Sequence, residues 1–175
     1  SVSTDKAANP ANVMGASKRI MELFMFKYSS KINVSSARFA NVLFSDGSLL
    51  FSFNQRLIKK QPIVAPTDVR RYFITKKQAA ELCIMAAIFG KNCEIYYPKL
   101  NPDNDLKSFK ELAISFLKGK GFRAVECFSE QNARNLASTN KDKSIWPCFF
   151  SNSETTGEKP FEEFYSKKEI IDLKK

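Results

Sequence analysis

The 175-residue chain contains no histidine. Without an imidazole it cannot build a Ser-His-Asp or Cys-His nucleophilic site, a histidine-ligated zinc or a histidine pH switch from its own residues. Chemistry must come from Asp, Glu, Lys, Tyr, Ser, Thr or Cys. Glycine is scarce too. Gly15, Gly47, Gly90, Gly119, Gly121 and Gly157 are the full set, and nowhere do they form G-x-G-x-x-G or G-x-x-G-x-x-G. The strand-turn-helix that cradles a dinucleotide pyrophosphate therefore has no counterpart in this sequence. The four cysteines, Cys83, Cys93, Cys127 and Cys148, form no C-x-x-C pair, which argues against a zinc or iron-sulfur centre and for reduced thiols, with a cytoplasmic setting as the expectation. No apolar run approaches the ~20 residues that cross a bilayer, and no basic-then-apolar leader opens the chain, so no membrane span is expected.

What is present suits a globular domain with a core: 43% of residues are hydrophobic and 13% aromatic. The formal charge of +10 is uneven, since residues 1–71 hold eleven of the 28 cations and only four of the 18 acids. This half either faces an anion or is a solvated basic surface. A phosphate-bearing small ligand and a nucleic acid both satisfy the charge. Neither an aromatic-basic recognition motif nor a helix-turn-helix pattern accompanies it, so nucleic acid is not the expected partner.

Strand-like and helix-like segments alternate, which indicates an α/β or α+β arrangement. Asn9-Pro10 reads as an N-cap with proline at the first helical position, followed by Val13, Ile20, Leu23, Phe24 and Phe26 at helical spacing through about Tyr28. A strand is expected over 32–40, a helix over 49–60 behind the turn Asp46-Gly47-Ser48, and an extended piece over 63–65. A Thr75-capped helix should run from 76 to 89, stopped by Gly90. Beyond it the expectations are a strand over 94–98, a loop over 101–104, a helix over 105–118, an extended piece over 122–128, a helix over 130–137 and an extended piece over 145–150. The polar tail from Ser151 has the cluster Phe161, Phe164 and Tyr165 as its anchor.

Thr4-Asp5-Lys6 falls where a strand should end before a helix, the place where open α/β sheets hold ligands. Met14 and Lys18, four apart, share one face of that helix. A carboxyl group and two amines can thus converge on one crevice, although on spacing alone a capped helix with a solvated lysine is the more usual arrangement.

The run from Ser1 to Glu22, SVSTDKAANPANVMGASKRIME, resembles the polysaccharide-biosynthesis branch of the extended short-chain dehydrogenase/reductase family, the UDP-N-acetylglucosamine 4,6-dehydratase-like enzymes. The blocks Ala37–Ser48 and Gln61–Thr75 and the tail Thr155–Tyr165 are similar to the same branch. The resemblance implies the C-terminal part of a Rossmann-like NAD(P)-binding fold plus the smaller substrate-binding lobe. Residues 1–100 would hold the catalytic helix, last Rossmann-type strands and substrate loops, and 101–175 the lobe's extension and tail, together one globular unit without its cofactor half. The opening Ser1-Val2-Ser3-Thr4, with no initiator Met, fits a fragment or processed product.

In that family a nicotinamide takes hydride from carbon 4 of the sugar, a base removes the carbon 5 proton, an acid protonates the departing carbon 6 hydroxyl, and hydride returns to carbon 6. By position, the resemblance implies Asp5 as the acid, Lys6 as the base, and Lys18 as the lysine that holds the nicotinamide ribose of NAD or NADP. Met14 stands at the wider family's tyrosine. A thioether cannot take the carbon 4 hydroxyl proton, so that task passes to Thr4, Asp5, water or substrate. Asn41 and Arg71 resemble ligands of the substrate diphosphate, with Ser45, Gly47 and Ser48 shaping the intervening loop and Phe44 where a glycine is common. Arg38, Arg56 and Arg70 read as solvated or structural. The function implied is a nucleotide-sugar 4,6-dehydratase of bacterial surface-glycan synthesis acting on a UDP-sugar, a homo-oligomer when full length. The alternatives are an epimerase of the same family and a non-catalytic basic interaction or nucleic-acid-binding domain.

Overall fold

A computed structural model describes residues 1–155 and 159–173, so that Thr156, Gly157 and Glu158 of the tail block lie outside the described residues. Strands and helices alternate: β1 (Val2–Thr4), α1 (Val13–Lys27), β2 (Ser35–Phe39), β3 (Asn41–Val42), α2 (Leu49–Ile58), β4 (Ile63–Pro66), β5 (Arg70–Ile74), α3 (Lys76–Phe89), β6 (Glu94–Tyr96), α4 (Pro102–Asp105), β7 (Leu106–Ser108), α5 (Phe109–Gly119), β8 (Arg123–Glu126), α6 (Glu130–Thr139) and β9 (Ile145–Ser151). A 3-10 turn, Asp5–Ala7, follows β1. The pairs β1–β2, β2–β6, β3–β5, β4–β9 and β8–β9 are all parallel, so the class is α/β. No helix among the described residues is long and apolar enough to cross a membrane.

Two compact units interleave along the chain. The first comprises Ser1–Val42, Tyr72–Leu106 and the tail from Thr155, and the second Leu43–Arg71 and Lys107–Glu154. A division near residue 100 does not coincide with them. The physical reason is strand pairing: β9 lies parallel to β4 in the register Ile63↔Cys148 to Pro66↔Ser151, which gathers 107–154 with 43–71.

In the first unit the sheet order is β1-β2-β6, with Val2 opposite Ala37 and Thr4 opposite Phe39. Small residues let α3 approach β2 closely, and Ala37, Leu82 and Ala86 form the contact. A second cluster gathers Ala40, Tyr72, Ile74, Ala79, Leu106 and Phe164. Of the three expected tail anchors only Phe164 is buried, its ring stacked on Tyr97 at 5.8 Å. In the second unit the sheet order is β4-β9-β8, and Leu50 and Phe53 of α2 and Ala113, Phe116 and Leu117 of α5 pack with Ile63, Ala65 and Cys148.

The α1 cap differs from the sequence expectation. Asn9 donates its side-chain amide to Glu163 Oε2 at 2.7 Å, and Asn12 instead accepts from the Gly15 N–H at 2.9 Å, so α1 starts at Val13. Residues 102–105 form a short helix capped by Asn101, not a loop. The α5 helix begins at Phe109, four residues later than expected, because Ser108 and Glu111 form a reciprocal capping box. The Thr75-capped α3 and the Ser48-capped α2 lie where the cap residues indicate, although α2 ends at Ile58. On α1, Val13, Ile20, Leu23 and Phe24 are all more than half exposed, and the only buried residues of that helix are Gly15 and Glu22.

Candidate active site

The segment Thr4-Asp5-Lys6 sits at the C-terminal end of parallel strands, β1 giving way at Thr4 to the 3-10 turn. Asp5 is fully buried. Its Oδ1 accepts from Thr4 Oγ1 at 2.8 Å, from the Lys6 backbone N–H at 2.8 Å and from Lys6 Nζ at 3.1 Å, while Oδ2, equally buried, has no hydrogen-bond partner among the described residues. Three donors occupy Oδ1, so Oδ2 is the carboxyl oxygen with unused acceptor capacity.

Lys6 Nζ also donates to Asn41 Oδ1 at 3.4 Å, and Asn41 Nδ2 donates to the Tyr72 carbonyl at 3.1 Å. Parallel pairing of β3 with β5, Asn41 opposite Phe73, sets this amide in place. The structure thus brings Thr4, Asp5, Lys6 and Asn41 into one hydrogen-bonded group. The ammonium of Lys6 is tethered on two sides, and one N–H of Asn41 Nδ2 stays available beyond its Tyr72 contact.

Met14 and Lys18 lie one turn apart on α1, Met14 half exposed and Lys18 partly buried without a hydrogen bond or ion pair among the described residues. What docks α1 onto the 3-10 turn is a residue that sequence reasoning missed. A Cβ on Gly15 would lie 2.6 Å from the Lys6 carbonyl oxygen, closer than carbon and oxygen can approach. The signal was the small-residue run Gly15-Ala16-Ser17 beside Met14.

Ser45, Gly47, Ser48 and Arg71 belong to the second unit. Gly47 adopts φ +73°, the left-handed region that a side chain disfavours, and so lets the loop turn into α2, whose first N–H groups Ser48 caps. Phe44 also has a positive φ, 55°. Arg71 is buried, with its guanidinium donating to the Arg70 carbonyl at 2.8 Å.

Arg38 is structural and spends its donors within the first unit. Its Nε and Nη2 bind Glu22 as a fork at 2.8 Å each, Nη1 and Nη2 bind Glu169 at 2.9 and 2.7 Å, and Nη1 reaches the Phe164 carbonyl at 2.9 Å. Burial alone would raise the Glu169 carboxyl, but the hydrogen bonds from Arg38 and the Ser166 N–H outweigh it and hold it down at about 2. Glu22 is lowered for the same reason, Arg38 overcoming the cost of burial. Arg19 joins both carboxylates, at 3.2 and 3.1 Å. No cluster of metal-ligating side chains occurs among the described residues.

With the Thr4-Asp5-Lys6 turn, the small-residue helix and the parallel strands in view, the sequence matches the family described as polysaccharide biosynthesis protein over residues 1–135. The chain belongs to this family. It is 39% identical over 98 residues to the probable polysaccharide biosynthesis protein EpsC of Bacillus subtilis, a match covering 54% of this chain and 16% of EpsC. Its fold is similar to that of Pen from Bacillus thuringiensis, with a TM-score of 0.69 at 21% identity over 94% of this chain and 45% of Pen. It is also similar to DesIV, a dTDP-glucose 4,6-dehydratase from Streptomyces venezuelae solved with NAD bound, with a TM-score of 0.65 at 16% identity over 93% of this chain and 49% of DesIV. The chain shares the α/β fold of these two proteins over the stretch it matches. The chain spans about a sixth of its curated relative and just under half of these two structures.

Proposed function

We propose that this chain is the catalytic and substrate-binding part of a nucleotide-sugar 4,6-dehydratase that acts on a UDP-sugar such as UDP-N-acetylglucosamine. The observation that carries the proposal is the Asp5–Lys6 pair: an acid and an amine 3.1 Å apart, tied to Asn41, at the ligand-binding end of parallel strands. An epimerase needs to move a proton and hydride only at carbon 4. Elimination across carbons 5 and 6 needs both a base and an acid, and this group contains both.

The residues present fit part of a nicotinamide site. Lys18, unpaired among the described residues and one turn from Met14, is the donor for the cofactor ribose, whereas the glycine-rich pyrophosphate cradle is not in this sequence. When bound, the dinucleotide, NAD or NADP, supplies the hydride acceptor and donor. The chain's own residues handle protons. Lys6 takes the proton from carbon 5, and Asp5 gives a proton to the departing carbon 6 hydroxyl. Met14 offers no hydroxyl, so Thr4, whose Oγ1 is already oriented by Asp5, is the side chain placed to relay the carbon 4 hydroxyl proton. Asn41 holds Lys6 and has one amide hydrogen left for substrate.

The full-length protein that carries this chain tests these roles. Lys6→Met should abolish exchange of the carbon 5 proton with deuterated solvent while leaving transient cofactor reduction. Asp5→Asn should slow elimination by about 100-fold to 10,000-fold. Wild-type exchange in Lys6→Met, or full turnover in Asp5→Asn, would remove these residues from the mechanism.

A further inference from the structure

The parallel sheet of the second unit has a charge polarity that the chemistry above does not use. Because β4, β8 and β9 run in the same direction, all three strands start at one edge of the sheet. Lys59 and Lys60 close α2 before β4, Lys118 and Lys120 close α5 before β8, Arg123 opens β8, and Lys141 and Lys143 lead into β9. All seven are exposed, and none forms a salt bridge with a carboxylate among the described residues, although Arg123 interacts electrostatically with Asp142. Asp142 is the one acid at this edge, and its carboxyl is engaged by the Ser144 hydroxyl at 2.6 Å and the Ser144 N–H at 2.8 Å.

The other acids of the unit lie toward the opposite edge. Asp68, Glu126 and Glu154 stand at or beyond the strand ends, and Asp46, Glu111 and Glu130 lie at or before the helix starts. Helix dipoles favour a cation or two at each C-terminus, but they do not require three successive loops to carry them with almost no compensating acid. The result is a one-signed edge built from separate loops. Neighbouring strands are about 5 Å apart, so the charges spread laterally and are not gathered into a pocket.

We propose that this edge docks on an anionic lipid surface. Six of the seven cations are lysines, compact point charges suited to a diffuse layer of headgroups, not the planar arginine forks used for bidentate recognition of bases or single phosphates. The aromatic residues at this edge are not free to stack on bases. Trp146 and Phe122 pack edge to face at 5.0 Å, and the indole N–H is given to the Gln61 carbonyl at 3.0 Å. Ile58, next to Lys59 and 67% exposed, adds an apolar side chain at the same level, as interfacial segments do. The docking is independent of the dehydratase chemistry and orients the second unit with its basic edge toward the bilayer.

Sedimentation of the full chain with vesicles tests the proposal. Binding should require phosphatidylserine, be absent with pure phosphatidylcholine, and disappear as salt rises. Charge reversal of Lys59, Lys60, Lys141 and Lys143 to Glu should weaken binding by at least ~100-fold, each cation near such a surface contributing about fivefold. An equal reversal at Lys76, Lys77, Lys167 and Lys168, exposed residues of the first unit, should leave most of the binding intact. Should the quadruple variant not fold, Lys141→Gln with Lys143→Gln in the loop before β9 should still cost about 25-fold. Binding that ignores phosphatidylserine, or an equal loss in the control variant, would overturn the proposal. So would duplex DNA that binds the edge more tightly than the vesicles do, since it would assign the surface to nucleic acid.

Discussion

At the residue scale, Arg38 shows how a side chain that could have served a ligand is instead consumed by the fold. Each of its N–H donors meets a carboxylate or carbonyl oxygen, and its partners come from α1 and from the tail. The sequence reading placed it among structural or solvated arginines but had no means of finding Glu169, 131 residues away. Glu169 is held below its unfolded value, so the stability it contributes is complete above the ordinary glutamate range, near pH 4.5, and is lost as the pH falls toward about 2. Glu169→Gln should therefore destabilise the protein by about 1–3 kcal/mol at neutral pH, with the difference from wild type vanishing near pH 2. Thermal melting across that pH range checks it, and a deficit that persists unchanged in acid would mean the carboxylate charge is not what holds the tail.

At the scale of elements, cap residues were the most legible feature. Thr75 with Gln78 and Ser48 with its turn mark helix starts through local hydrogen bonds, and local sequence suffices to read them. Asn9-Pro10 misled because a tertiary contact, Glu163, takes the Asn9 side chain, leaving the cap to Asn12. The strand β5 went unread because Arg70 and Arg71 interrupt its apolar pattern. The seating of α1 on the 3-10 turn depends on Gly15, where added atoms would meet backbone and not a movable side chain. Gly15→Ala should raise helix propensity by up to ~1 kcal/mol in isolation yet reduce turnover of the full-length protein by more than tenfold, because the Lys6 backbone must give way by a large fraction of an ångström. Unimpaired turnover in Gly15→Ala would show that the turn tolerates displacement and that Lys6 does not need this registry.

At the scale of the whole molecule, sequence made the α/β class and the Asp5–Lys6 group legible, because strand ends, helix starts and a short local motif are written in consecutive residues. The interleaving of two units was not legible: β4 and β9 are some 80 residues apart, and no local pattern specifies that they pair. Ser45, Gly47, Ser48 and Arg71 were read from the same stretch of chain as Asn41 yet fold into the other unit. In the proposed function the first unit's acid and amine perform elimination across carbons 5 and 6. The most direct test is NMR of the product formed by the full-length protein from UDP-N-acetylglucosamine in deuterated water. The expected product is a 4-keto-6-deoxy sugar with deuterium at carbon 5. A 4-epimer that retains its carbon 5 proton and carbon 6 hydroxyl would contradict it.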